Sequence, residues 1–447
     1  MQRKTLITLA LAGALLGVCG LSALAAYSTV GALRATNVRL RWFEDAATSA
    51  RLTETLRLDV GPGVMLAIDG CGGDIDVRAG GDGVVEGEQV VTGWGADAVA
   101  ALAAAKAVAV RVEHDASSVR ITCDVPDEVV LVGTRRGHDA ASFTLRVPAA
   151  AGLELRTGAG SVRAHGTAGA AVLRSGFGDV HASGMRGAVE AQSGAGAVTA
   201  EDVDAGAGDV ALASDFGAVA ATAVRGRALR LSSRNGALTA TGLTATGPVE
   251  AETAFGDIDI ADARAAELTA TTQNGAVDLR GGEVAGMVAI DDAFGDVTVA
   301  DLAAAALRVA AGRGKVTLDR PRGAITVDGG FGDIEITGAV GVRLDVAASN
   351  GAIAFDGSLD PAAVHRVKTD FGSVTLALPA DSRLDVRLRS DFGAVTSDLP
   401  ITVTGAVDGE ARTGTVNGGG AHLEVTTRNG DIALRVLPAP ARLPDPT

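Results

Sequence analysis

Gly176-Phe177-Gly178-Asp179-Val180 returns as Asp215-Phe216-Gly217-Ala218-Val219 and as Ala254-Phe255-Gly256-Asp257-Ile258. It returns again as Ala293-Phe294-Gly295-Asp296-Val297, Gly330-Phe331-Gly332-Asp333-Ile334, Asp370-Phe371-Gly372-Ser373-Val374 and Asp391-Phe392-Gly393-Ala394-Val395. The successive Phe lie 39, 39, 39, 37, 40 and 21 residues apart. Between them sits a sister phrase with Asn in place of Phe, at Asn235-Gly236, Asn274-Gly275 and Asn350-Gly351. Ala159-Gly160, Ala195-Gly196 and Arg313-Gly314 fill the remaining slots. The period is therefore about 19 to 20 residues with Phe and Asn alternating, and a fixed period of that size marks a solenoid.

Each unit carries two strand signals. Before the Gly, apolar residues alternate, as in Leu229/Leu231, Leu268/Ala270 and Ile325/Val327; after it they alternate again, as in Ile258/Ile260, Val277/Leu279 and Ile334/Ile336. Period-two patterning is that of a strand with one face inward and one in water. The Gly marks the turn, because it takes positive φ without steric cost and Asn tolerates it better than most residues. Phe and Asn continue the inward parity of the preceding strand, so both are expected to point into the core. The fold expected is an all-β parallel β-helix (β-solenoid) with coils of about 19–20 residues. A 39-residue coil is the alternative. The shorter coil stacks Phe on Asn in alternate layers, and the longer one stacks Phe on Phe.

Composition agrees. Sixty Gly and 47% apolar residues with 3% aromatic suit glycine corners around a thin core. The net charge of −15 argues against nucleic-acid partners or an anionic membrane bound through a basic face.

Met1-Gln2-Arg3-Lys4 precedes an uncharged, mostly apolar run from Leu6 to Ala26. A basic start before such a run is a secretion signal, and its length also allows it to span a bilayer. Ala23-Leu24-Ala25 would serve as a cleavage site, whereas Val18 before Cys19 is too bulky for the usual lipoprotein pattern. Residues 1–27 are read as a signal peptide or transmembrane anchor, and 28–57 as a juxtamembrane stalk, helical in character, with Trp42 either at the membrane interface or in a plain packing role. Residues 58–150 form a β cap and first coil, 151–436 the solenoid, and 437–447 a Pro-rich disordered tail. The body is expected outside the cytoplasm, in the periplasm or at the cell surface. A Cys71–Cys123 disulfide is allowed there, and two separate buried thiols are the alternative.

Leu145-Arg146-Val147-Pro148 leading into Gly160-Ser161-Val162 resembles the bacterial "putative adhesin" β-strand-repeat family of unknown function, as do Val374-Thr375-Leu376-Ala377-Leu378-Pro379 and Arg428-Asn429-Gly430-Asp431-Ile432. The resemblance covers roughly residues 58 to 436. It implies a run of Gly-Asp-Ile/Val coils behind a signal or membrane segment, and it brings no catalytic residues.

The chemistry classes fare poorly on this pattern. Calcium-binding Gly-Asp repeats have a nine-residue period, and Asp257 and Asp296 fall two layers apart, roughly 10 Å, too far to share an ion. The corner Asp are expected to bond nearby backbone N–H groups instead. Six scattered His show no metal-ligand spacing. No cofactor, metal site or catalytic residue is expected. The rival from another class is a carbohydrate-active β-helix enzyme, a polysaccharide lyase or hydrolase, but no carboxylate pair recurs at one level and seven of the ten Phe are spent on corners. What remains is a non-enzymatic envelope protein, tied to the membrane by its N-terminal segment, with a surface or envelope ligand (protein or glycan). An aromatic stripe on one face would mark an adhesin-like rod, and a Thr/Asp/Ala surface a scaffold. The sequence leans to the scaffold.

Overall fold

The computed structural model describes residues 39–42, 48–125, 128–132, 137–404 and 411–438. The apolar segment expected to be a signal or anchor, and the Pro-rich stretch past 438, lie outside these residues. Among the described residues no helix is long and apolar enough to cross a membrane.

The body is a parallel β-solenoid whose coils follow the shorter period. Each coil has a leading strand, a glycine corner and a trailing strand. Leading strands stack on leading strands, as Leu229–Ser233 does on Pro248–Phe255 and Pro248–Phe255 on Glu267–Asn274. Trailing strands do the same, as Leu238–Thr241 with Ile258–Ala265. Phe255 pairs with Asn274, Phe331 with Asn350 and Asn350 with Phe371, so Phe stacks on Asn. Inward residues of both strand sets fill one continuous core of Val, Leu, Ile and Ala, with Phe355 and Phe143 among its few rings. A short third side appears in the middle coils, where Val203 pairs with Val224 and Arg225 with Thr244.

The trailing strand ends at a second corner with a different requirement. Gly166, Gly184, Asp202, Ala223, Gly242, Asp262, Gly281, Asp301, Arg320 and Gly338 occupy successive layers there, and all have φ between 50° and 77°. This column takes the left-handed conformation whatever the side chain, which favours Gly and, next, Asp.

Both ends depart from simple chain order. At the N-terminal end Met65–Asp69 lies between Gly152–Thr157 and Ser118–Asp124, and Gly72–Ala79 between Val162–His165 and Ala140–Val147. The coil 65–79 is therefore sequentially first but spatially second. Antiparallel strands cover the outermost layer: Ala109–His114 on Ser118–Asp124, and Val84–Gly95 on Ala140–Val147 with Thr48–Asp59 beyond it. The expected helical stalk is thus corrected, since Thr48–Asp59 is a strand of the cap whose ladder partner is Val84–Gly95. The Ala-rich stretch Ala98–Ala107 is a helix, capped by Asp97 accepting from the Ala100 N–H at 2.8 Å. Glu128–Val132 is a further strand, paired with Arg39–Trp42.

At the other end Ala421–Asn429 slots between Val364–Phe371 and Leu384–Phe392, parallel to both. The outermost layer, 384–397, is covered by antiparallel Ala411–Val416 and Ile401–Val403. This insertion explains the 21-residue interval that breaks the sequence period. Asn429 pairs with Phe371 on one side and Phe392 on the other, so the Phe/Asn alternation continues without a break in space. Sheet edges invite pairing with other chains, and both ends are closed by antiparallel strands that turn the ladder direction.

A candidate binding edge

The glycine corner is built from three columns of small interactions. Just before it, a buried Ser or Thr in most layers donates its hydroxyl to the corner Gly carbonyl one layer back. Ser175 bonds Gly160 O at 2.7 Å, Thr253 bonds Gly236 O at 3.1 Å, and Thr427 bonds Gly372 O at 3.0 Å. The corner glycines themselves, Gly160, Gly178, Gly196, Gly217, Gly236, Gly256, Gly275, Gly295, Gly314, Gly332, Gly351, Gly372, Gly430 and Gly393, stack into a spine. A Cβ on any of them would fall closer than 3.0 Å to the carbonyl oxygen of the glycine stacked against it. Close approach is the sharper demand here, ahead of the positive φ expected from the sequence. After the glycine, corner Asp accept a backbone N–H from the adjacent layer: Asp179 from Ala197, Asp257 from Ala276, Asp333 from Ala352 and Asp431 from Ala394, each at 2.8 Å. The expected bonds from corner Asp to backbone N–H groups form, but they join layers instead of closing a local turn.

These columns decide where the Phe go, and the inward expectation is overturned. Phe177, Phe216, Phe255, Phe294, Phe331, Phe371 and Phe392 all project into solvent, from 50% exposed at Phe371 to 76% at Phe177. Strand parity stops counting once the chain bends. Thr253 and Ile258 are the buried residues flanking the Phe255 corner, and the interior between them is closed by the hydroxyl bond and the stacked glycine backbone. No room for a ring is left inside. The alternating Asn share the outer edge: Asn235 and Asn274 are exposed, while Asn350 and Asn429 are half-buried.

The result is one continuous edge on which Phe177, Ala195, Phe216, Asn235, Phe255, Asn274, Phe294, Arg313, Phe331, Asn350, Phe371, Asn429 and Phe392 follow each other. These are thirteen layers and twelve steps, roughly 57 Å at ~4.8 Å per layer. Where Arg313 replaces Asn, its guanidinium lies 5.4 Å from the Phe294 ring centroid and 5.5 Å from that of Phe331. Both are within cation–π reach. Carboxylates border the edge: Asp215, 3.5 Å from Arg234; Asp370, 3.8 Å from Arg428; and Asp391, 3.0 Å from Arg389. Single exposed apolar residues are ordinary, but seven rings in a column are not.

One layer breaks the hydroxyl column. Asp292 occupies the place of Thr272, fully buried, its Oδ1 accepting from the Phe294 N–H at 3.0 Å and its Oδ2 without a partner. Burial pushes its carboxyl up to about 6, with Asp296 and Asp291 adding to the shift against the lowering effect of the Phe294 N–H. In the protonated form it can donate as Thr does; ionised, it cannot. His365, also buried, is held below its ordinary range mainly by desolvation. Its Nδ1 accepts from the Leu344 N–H at 3.2 Å, so Nε2 carries the proton it donates to Asp360 O at 2.9 Å. Its role is to satisfy backbone groups.

Cys71 and Cys123 are joined by a disulfide with Cα atoms 4.7 Å apart. It ties the glycine corner of the coil 65–79 to Ser118–Asp124 in the outermost layer. Among the described residues no group of three or more His, Cys, Asp or Glu is placed to hold a metal ion. Among the outward positions after the corner, His181 lies 4.0 Å from Glu201, Asp278 pairs with Arg280 and Glu335 pairs with Lys315.

The sequence matches the family described as Toastrack DUF4097 over residues 99–279 and 260–435. These matches span most of the chain, and the protein belongs to that family of β-solenoids. No curated protein matches. A crystal structure described as that of a "putative cell adhesion protein" from Clostridium sporogenes aligns over 86% of this chain and 99% of its own, at 9% identity and a TM-score of 0.14.

Proposed function

We propose that this protein is a non-enzymatic, adhesin-like rod of the cell envelope that stands outside the cytoplasmic membrane and holds a partner along its Phe edge. The observation that carries this reading is the solvent-facing column of seven Phe, which turns the sequence-based leaning towards a plain scaffold around. Rings left in water on a rigid backbone gain free energy only when something covers them. The basic and apolar N-terminal run supports export, and a disulfide at the cap suits an oxidising compartment. Aspartates that carry interlayer bonds and a histidine spent on backbone groups agree with a binding role.

The test joins address to contact. Protease added to intact cells and to spheroplasts should digest the body from outside and leave a membrane-bound N-terminal stub. Wild-type protein should bind isolated envelope fraction, and a variant with all seven corner Phe changed to Ser should lose that binding while keeping its β-sheet circular dichroism. A protected, cytoplasmic chain, equal binding by the variant, or turnover of a polysaccharide by the purified protein would overturn the reading.

A further inference from the structure

The register of the Phe edge selects a ligand class, an inference that rests on the edge being the binding surface. Ring-bearing layers alternate, so successive Phe are rooted about 9.6 Å apart. One turn of polyproline II is three residues at 3.1 Å, about 9.3 Å. Over the six intervals from Phe177 to Phe392 the two repeats drift by only about 2 Å, so one face of such a helix meets every ring. Other regular backbones do not keep step. An extended strand covers the interval in about three residues at ~3.3 Å, and an odd count turns each successive contact to the opposite face. An α-helix needs about 6.4 residues per interval, so its contacts wander around the helix.

The layers between the rings fit the same ligand. Polyproline II has no internal hydrogen bonds, and its carbonyls stay free to accept. Asn235, Asn274, Asn350 and Asn429 place amide donors between the rings. Aromatic-lined surfaces are a recurring seat for this conformation because it is already ordered before it binds. Charge gives the second half of the assignment. Arg313 shows where a guanidinium sits, between Phe294 and Phe331. Between Phe177 and Phe216 the intervening residue is only Ala195, which leaves that interval open to a ligand's own cation. Asp215, Asp370 and Asp391 border the edge but are already paired with Arg234, Arg428 and Arg389, so the attraction for a cation there comes from the chain's overall −15.

We infer that the Phe edge takes a proline-rich polypeptide segment in the polyproline II conformation, with a basic side chain over Ala195. The rod is long enough to hold about six turns of it.

The full chain in detergent is titrated with a fluorescent six-repeat Pro-Pro-Arg peptide. Comparison probes are a six-repeat Gly-Ser-Arg peptide of equal charge and a series of neutral linear oligosaccharides. The Pro-rich peptide should bind about tenfold or more tightly than the Gly-Ser-Arg peptide. Phe255→Ser, Phe294→Ser and Phe331→Ser together should weaken it about tenfold without moving the thermal melt. Arg313→Asn should strengthen binding severalfold by freeing two rings, an effect a merely structural arginine would not give. Equal affinity for both peptides would reduce the contact to charge and overturn the inference. Phe-dependent binding of an oligosaccharide without the Pro-rich peptide would overturn the ligand class and keep the binding edge. If neither these probes nor the envelope fraction shows Phe-dependent binding, both readings fall.

Discussion

The two corners of each coil run the length of the same rod, yet they constrain the sequence in opposite ways. At the Phe corner the limit is space. The stacked glycines approach the carbonyl of the neighbouring layer so closely that any Cβ would collide, and in the fourteen layers stacked from Gly160 to Gly393 the residue is always Gly. At the second corner the limit is only conformation. The left-handed backbone there accepts Gly242, Asp262, Ala223 and Arg320 alike, and where a Cβ at Gly281 or Gly338 would crowd a neighbour, the nearest atom belongs to the Asp262 or Arg320 side chain and not to stacked backbone. A steric limit writes itself into the sequence as identity, and a conformational limit only as a preference.

The covalent staple at the glycine corner of the coil 65–79 should show the largest effect. Closing a loop of 52 residues corresponds to about 4 kcal/mol in the chain-entropy account, so Cys71→Ser with Cys123→Ser should lower N-terminal stability by up to that amount. Trp94, in the cap strand Val84–Gly95, reports it by fluorescence in urea. Because a solenoid is stabilised layer by layer, the distal coils should keep their hydrogen-exchange protection. Next comes steric corner against conformational corner. Gly256→Ala drives a methyl into the Gly236 carbonyl and should destabilise by about 3 kcal/mol.

Asp292 separates the pH behaviour of one layer from its neighbours. Its folded pKa of about 6 lies above the ordinary 3.8, so the stability it brings is fully present below 3.8 and is lost as pH rises through 6. Asp292→Thr restores the hydroxyl column and should stabilise the protein by about 2 kcal/mol at pH 7 and hardly at all at pH 4. Melts at the two pH values check this, and an equal gain at both would sink the assignment. The smallest pair is at the second corner. Gly242→Ala, where a Cβ has its nearest neighbour 3.8 Å away, should lose about 1 kcal/mol, and Ala223→Gly should gain about as much. If Gly242→Ala matched Gly256→Ala, the distinction between the corners would be wrong.

The same distinction explains what could be read in advance. The coil length, the two strands and the glycine spine were legible because burial and steric exclusion fix residue type at a constant interval. The direction of the Phe was not. Alternation is a property of a straight strand, and nothing in Glu252-Thr253-Ala254-Phe255-Gly256 announces that the Thr253 hydroxyl closes the interior two residues before parity would turn Phe255 inward. That miss mattered, because the rings counted as core are the candidate binding edge. The second corner was invisible for lack of a constant residue. The interleaved ends were hidden too, although one signal was present: the 21-residue interval from Phe371 to Phe392 lacked its Asn phrase, and Asn429-Gly430-Asp431-Ile432 stood unpaired downstream.

That insertion also sets a schedule. The strand Leu384–Phe392 leaves the ribosome before Ala421–Asn429, yet its inner ladder partner is the later segment. Until residues 421–436 have emerged, the layer 384–397 has no seat on the growing stack, and Val364–Phe371 exposes an open edge to other chains. Winding of the coils can follow synthesis, but sealing of this end cannot, so a chain interrupted between residues 397 and 421 is expected to seek its missing layer in another molecule.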